Sequence, residues 1–321
     1  MPDKFKNIQF QKYGLYLYSI LILALAQLFL ITAPKAVGLV ETKVAFLGNQ
    51  PQIKVQPLDK KIELPKIIEI IDKNIPPPEF KAHAVLAKDL ESGKILFEKN
   101  IHNRLSPAST TKIMTALVAQ DSFKAGEVLK VPEGALVGGS SMGVNIGEEL
   151  TFRSLLYGML LNSGNDAAYT IALNYPGGFE AFVSKMNEKV QKLNLEDSHF
   201  QNPAGFDSDN HYSSAYDLAV ISEAAVKDPY LSKIVDTKET SILAYDKTKL
   251  HNLKNLNKLL SEDGILGIKT GTTEKAGENF IGLVERNGHK VLTVVLSSTD
   301  RFGETKNLMD WVYRNYSWET K

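Results

Sequence analysis

Cysteine is absent from this chain, so it has neither a disulfide framework nor a thiolate metal site. An excess of either charge is missing too. The 37 lysines and arginines face 37 aspartates and glutamates, and without a basic footprint there is no compositional case for a nucleic-acid partner. The six histidines (His83, His102, His199, His211, His251 and His289) are scattered and form no His-Glu-x-x-His pair, which argues against a metal site and leaves each expected in a structural or solvated role. Internal repeats and low-complexity runs are also lacking. What is present is 321 residues at 43% hydrophobic composition, enough for one large folded unit with an N-terminal appendage.

Charge is missing again, locally, between Lys12 and Lys35, where Leu15 to Thr32 is nearly all apolar or aromatic. At about 1.5 Å per residue, a helix of that length crosses the roughly 30 Å hydrocarbon layer. The exit, Thr32-Ala33-Pro34-Lys35-Ala36-Val37-Gly38, offers no tidy small-x-small cleavage site. The reading favoured is therefore an uncleaved single-pass anchor over a cleaved signal. Lys4, Lys6 and Lys12 precede it and place the short tail in the cytoplasm, with everything beyond it extracytoplasmic. From Leu39 the chain shifts to short apolar runs broken by Pro51, Pro57, Pro65 and the triplet Pro76-Pro77-Pro78, a semi-rigid spacer. The expected division is 1–38 tail and transmembrane anchor, 39–79 linker and 80–321 catalytic domain. Within the linker, Lys66 to Asn74 has the pattern of a short amphipathic helix.

Ser109 is the only serine with a lysine three residues on, and Ser109-Thr110-Thr111-Lys112 opens an apolar run at helical spacing. Residues three apart share a helix face, so the Lys112 amine can reach the Ser109 hydroxyl. A lysine serves as base to a serine only if burial or neighbouring cations lower its pKa. A serine that merely caps the helix, beside a solvated lysine, would show the same spacing. Lys269-Thr270-Gly271 lies far downstream in a strand-like stretch, where the lysine can hold a carboxylate or stand exposed on a sheet edge. Between them are two Ser-x-Asn candidates. Ser163-Gly164-Asn165 sits on a short turn between apolar helical patterns, Phe152 to Leu161 and Asp166 to Leu173, and Ser208-Asp209-Asn210 lies in a Gly/Pro/Asp-rich loop. Turn chemistry explains the second, so Ser163 is preferred. Around these motifs, Ala82 to Phe97 reads as a hairpin and a mainly helical middle runs from about Ser106 to Val235. Strands return at Leu266 to Ser297, and Thr305 to Tyr316 reads as a helix. Helices set against a sheet built from both chain ends define an α+β, three-layer α/β/α architecture.

In that order, Ser-x-x-Lys, Ser-x-Asn and Lys-Thr-Gly are the signature of penicillin-binding proteins and class A β-lactamases. From about Ala82 to Tyr316 the chain resembles the D-alanyl-D-alanine carboxypeptidases of the low-molecular-mass penicillin-binding type. It also carries Lys88-Asp89-Leu90-Glu91-Ser92-Gly93-Lys94, Ser106-Pro107-Ala108, Gly139-Ser140-Ser141-Met142-Gly143, Asn202-Pro203-x-Gly205, His211-Tyr212-Ser213, and Arg301 ahead of Leu308-Met309-Asp310-Trp311. The resemblance implies a β-lactamase/transpeptidase-like fold, an antiparallel sheet with a mainly helical subdomain. It implies a peptidoglycan stem peptide ending in D-Ala-D-Ala as substrate, β-lactams as covalent inhibitors, and no cofactor. Ser109 would be the nucleophile, Lys112 its base, Ser163 the return path of the proton, and Asn165 the group that holds the substrate amide and fixes Lys112. The backbone N–H groups of Ser109 and Thr272 would form the oxyanion hole. The peptide would lie along Lys269, Thr270, Gly271 and Thr272, its carboxylate meeting Lys269, Thr270 and Arg301. A β-rich C-terminal domain and amphipathic membrane helix are common in the family. This sequence ends at Lys321, so anchoring is expected from the N-terminal segment.

Other readings stay open at this level. A class A β-lactamase needs a glutamate after the Ser-x-Asn element to activate the deacylating water, and Glu196 is the candidate. A D,D-endopeptidase would use the same apparatus on cross-links. A silent wall-binding protein could use the same groove, although it would have no need of an intact Ser109, Lys112 and Lys269.

Overall fold

The structure, a computed structural model, describes residues 68–262 and 264–320. The expected anchor and most of the linker lie outside the described residues. Among the described residues no helix is long and apolar enough to cross a membrane.

Strand β1 (Ile68–Asp72) pairs antiparallel with β11 (Tyr316–Thr320), from Ile68 opposite Thr320 to Asp72 opposite Tyr316. Of the helix expected over Lys66 to Asn74, Ile68–Asp72 is instead a strand, and Lys66 and Ile67 lie outside the described residues. Ile68-Glu69-Ile70-Ile71 is too short for its period to decide, and the partner strand at the other end of the chain decides instead. The stretch assigned to the linker thus contributes an element of the folded unit.

The main sheet comprises β2 (Ala84–Asp89), β3 (Ile95–Lys99), β8 (Ile265–Thr273), β9 (Gly277–Arg286) and β10 (His289–Ser298). All pairings are antiparallel in the order β3, β2, β10, β9, β8, which leaves β8 on an edge. Period-2 alternation splits each central strand between two cores. Ala84, Leu86, Leu292, Val294 and Leu296 face the helical subdomain. Val85, Ala87, Val291 and Val295 pack with Leu308, Met309, Trp311 and Val312, all from the helix α7 (Arg301–Asn315). Helices on both faces of one sheet give the three-layer α/β/α arrangement expected.

The helical subdomain holds α1 (Thr111–Gln120), α2 (Phe152–Leu160), α3 (Asn165–Leu173), α4 (Gly178–Lys192), α5 (Ala215–Lys227) and α6 (Pro229–Val235). Side-chain caps set several starts: Thr151 accepts from Ser154 N, Ser214 from Asp217 N, and Asp300 from Gly303 N. Two small hairpins were not legible in sequence, β4 (Val128–Lys130) with β5 (Glu149–Thr151), and β6 (Glu239–Leu243) with β7 (Leu250–Lys254).

Trp311 locks the outer layer. It is 4% exposed, its indole donates to Ile75 O at 2.9 Å, and its ring meets Phe97 and Tyr316 edge-on. Trp311→Ala is expected to cost about 3 to 5 kcal/mol in denaturant unfolding, the range for removing a large buried aromatic. A loss below about 1 kcal/mol would show that this layer contributes little to the fold.

Candidate active site

Ser109 sits on a 3-10 turn, Ala108–Thr110, that leads directly into α1. The turn is tightly held. Ala108 has φ +48, a left-handed conformation that costs a non-glycine residue energy, and it is fully buried. Gly205 and Gly271 press on it from two sides. A Cβ on Gly205 would stand 1.8 Å from Ala108 O, and one on Gly271 would stand 3.0 Å from Ser109 N. Only glycine lets both backbones approach so closely. Ser109 itself remains partly exposed between buried neighbours, as a nucleophile must.

Lys112 lies one turn on and is fully buried. Its Nζ is 2.9 Å from Ser109 Oγ, 2.8 Å from Asn165 Oδ1 and 2.6 Å from Ala204 O. The alternative of a helix cap beside a solvated lysine is thereby excluded: the Ser109 hydroxyl meets the lysine. Burial pushes the Lys112 pKa well below the ordinary lysine value, the Lys269 charge lowers it further, and Asp166 opposes only in part. The three contacts suit either protonation state. A neutral amine donates to Asn165 and Ala204 and accepts the Ser109 proton, whereas an ammonium donates to all three. The difference between the two states is one proton moved along the Ser109–Lys112 hydrogen bond.

The two Ser-x-Asn candidates differ in position. Ser163 is 2% exposed in the turn between α2 and α3 with φ +59. Asn165, at the start of α3, holds Lys112 through Oδ1 while its Nδ2 donates to Gly138 O at 2.9 Å. Ser208, by contrast, bonds Gln201 Oε1, away from the Lys112 cluster. The Ser163 hydroxyl makes no hydrogen bond to a described residue.

Lys269 is not an exposed edge-strand lysine. It is 2% exposed on β8, and burial first, then the Arg301 charge, lower its pKa to about 7. Thr270 is buried and Thr272 exposed along the same strand. Arg301, at the start of α7, donates to Gly271 O at 2.9 Å and to Thr272 Oγ1, and its Nε is buried without a partner. The strand and the arginine together present cationic groups at the sheet edge.

Three contributors went unread in the sequence. The Ala204 carbonyl is invisible to any residue pattern because backbone carries no signature. Asp166, 3% exposed, accepts from Ser141 Oγ at 2.5 Å and from the amides of Met142, Gly143 and Val144 at 2.9, 2.9 and 3.2 Å; its signal was a lone carboxylate in an apolar helix. His211 sits behind α1, with Nδ1 accepting from Gln201 N at 3.0 Å and Nε2 2.9 Å from Thr111 Oγ1. Burial lowers its pKa to about 4, so it is neutral at physiological pH and structural, as expected of the histidines. Glu196 is exposed, and its backbone carbonyl accepts from Arg104. The loop that does meet Lys112 does so through the Ala204 carbonyl, and its carboxylate, Asp207, accepts from Ser106 and Thr273 instead.

A serine hydroxyl 2.9 Å from a buried lysine that Asn165 of the Ser-x-Asn element also holds, together with a Lys-Thr-Gly strand, is the constellation of the penicillin-binding proteins and class A β-lactamases. The comparisons narrow this. The chain belongs to the D-alanyl-D-alanine carboxypeptidase family, which it matches over residues 72–300. It is 33% identical over 248 residues to the D-alanyl-D-alanine carboxypeptidase DacF of Bacillus subtilis, covering 74% of this chain and 63% of that one. It is also 33% identical over 259 residues to DacA of Escherichia coli, at 74% and 62% coverage. The chain therefore spans somewhat under two thirds of the length of these curated relatives. The crystal structure of a Streptomyces DD-transpeptidase superposes with a TM-score of 0.72 at 30% identity, covering 75% of this chain and 100% of that one.

The packing of Gly205 against the nucleophile turn makes a direct prediction. Gly205→Ala should displace Ala108 and slow acylation of Ser109 by fluorescent penicillin on the order of a hundredfold, the scale of a misplaced reacting group, while far-UV circular dichroism is unchanged. Labelling at the parent rate would mean that the Asn202–Gly205 loop does not hold the nucleophile.

Proposed function

We propose that this protein is a membrane-anchored, extracytoplasmic serine D-alanyl-D-alanine carboxypeptidase that removes the terminal D-alanine of peptidoglycan stem peptides through an acyl-enzyme. The observation that carries the reading is the buried Lys112 amine, 2.9 Å from Ser109 Oγ and without a carboxylate in hydrogen-bond contact. In the proposed cycle Ser109 attacks the carbonyl between the two D-alanines, and its proton passes to Lys112. The C–N bond breaks, and the leaving amine takes a proton through Ser163. Water then cleaves the Ser109 ester and restores the hydroxyl. The backbone N–H groups of Ser109 and Thr272 stabilise the oxyanion in both tetrahedral intermediates.

The substrate lies as an added strand on the free edge of β8. Its terminal carboxylate meets Lys269, Thr270 and Arg301, and a penicillin carboxylate would use the same groups. The charge-free segment at Leu15 to Thr32 supports the anchor. The peptide's two-alanine terminus, rather than a cross-link, is favoured because the family's relatives carry the carboxypeptidase name. The lactamase reading loses its support with the exposure of Glu196 and the carbonyl that stands at Lys112 in place of a carboxylate.

The test is mass spectrometry of the full-length protein in detergent with a pentapeptide ending in D-Ala-D-Ala. Loss of one alanine is expected, absent in Ser109→Ala, and benzylpenicillin should add its whole mass to Ser109 and stay for minutes. The pH profile has a defined sign. Lys112 must be neutral to accept a proton, so kcat/KM falls on the acid side. Lys269 must be cationic to hold the carboxylate, so kcat/KM falls, through KM, as pH rises past about 7. Rapid multiple-turnover penicillin hydrolysis, or an intact pentapeptide, would contradict the reading.

A further inference from the structure

The loop from Gly138 to Glu148 has little apolar anchorage. Only Met142 and Val144 among its aliphatic side chains are buried, while Gly139, Ser140, Ser141, Asn145 and Ile146 are exposed. Yet the loop orients a catalytic group. Ser140 O accepts from Asn165 N at 2.7 Å and Gly138 O accepts from Asn165 Nδ2 at 2.9 Å. The second bond fixes which end of the side-chain amide turns toward Lys112, because an Nδ2 tied to a carbonyl leaves Oδ1 to meet the lysine. The same loop sends three amides inward to the Asp166 carboxylate.

What holds the loop from outside is the β6–β7 hairpin. His251, on β7, is buried, with Nδ1 3.1 Å from Met142 O and Nε2 2.5 Å from Glu148 Oε1. A carbonyl only accepts, so Nδ1 carries hydrogen, and Nε2 faces the carboxylate. Glu148 is buried as well and takes the Asn145 amide on its other oxygen at 2.8 Å. Two residues before His251, the Lys249 ammonium donates to Gly143 O and lies 3.4 Å from Asn145 Oδ1. The loop is thus gripped on one side by the catalytic turn and on the other by a buried imidazole–carboxylate pair that the acylation chemistry does not use.

We infer that His251 and Glu148 are positioning residues for acylation: they clamp the Gly138–Glu148 loop and, through it, set the Asn165 amide that holds Lys112. The inference rests on the reading of Ser109 and Lys112 as nucleophile and base. Removing the imidazole takes away the His251 partner of Met142 O and of Glu148 Oε1, both at a buried site, and the loop relaxes away from Asn165. The effect falls on the rate of acylation rather than on the affinity that precedes it, because the carboxylate-binding groups on β8 and Arg301 are untouched.

The experiment measures the acylation rate and the pre-acylation affinity for fluorescent penicillin in the full-length protein, in four forms: parent, His251→Ala, Asn165→Ala and the double variant. Lys249→Met is carried in both backgrounds as a partly exposed substitution that does not touch the buried pair. The expected result is a loss of about tenfold or more in acylation rate for His251→Ala, with affinity unchanged, and a smaller loss for Lys249→Met. Neither should slow the Asn165→Ala background further, since residues acting through one group are not additive. Equal losses in both backgrounds, or a His251→Ala rate within threefold of the parent, would overturn the clamp. If His251→Ala fails to fold, the Lys249→Met pair decides by the same criterion. Absence of labelling in the parent would instead refute the assignment of Ser109, leaving the two failures distinguishable.

Discussion

One unpaired basic group in a dry site governs this structure. Removal from water without a carboxylate partner lowers an amine's pKa, and the fold keeps Lys112 in that condition. Asp166, whose charge does reach it, is occupied by a hydroxyl and three loop amides. A second buried lysine, Lys269, adds positive potential from the β8 side. Every contact Lys112 makes is with a neutral oxygen, so accepting a proton from Ser109 breaks no hydrogen bond and leaves none unmade.

The surrounding architecture serves that arrangement. Sheet and helical subdomain meet at the turn before α1, and the two close glycine contacts at Gly205 and Gly271 fix where the serine stands. Arg301 comes from α7, the outer helical layer on the sheet's other face, yet reaches the rim of β8 because α7 begins immediately after the sheet's last central strand. The end of the groove proposed to bind the carboxylate is therefore assembled from elements on both faces of one sheet.

The sequence made the two lysine motifs and the hairpins around the sheet legible because each is local: a three-residue spacing on a helix, a glycine at a turn, an apolar run of strand length. Ser163 could be chosen over Ser208 from its place between helices, and the structure pairs its neighbour Asn165 with Lys112. Where long-range packing decides, local pattern failed. Ile68–Asp72 carries a pattern compatible with either helix or strand, and only pairing with Tyr316–Thr320 settles it. Lys269 could stand in water or in the core, and only the helical subdomain lying over β8 buries it. The Ala204 carbonyl had no signal at all, since any residue supplies one.

The central claim is that burial lowers the Lys112 pKa well below that of an ordinary lysine. It can be measured directly by following the side-chain Cε and Hε resonances of 13C-labelled lysine in the full-length protein through a pH titration, with Lys112 assigned by the signal lost in Lys112→Arg. The account predicts one resonance that titrates well below the rest. A Lys112 that titrates with the solvent-exposed lysines, near 10.4, would contradict it.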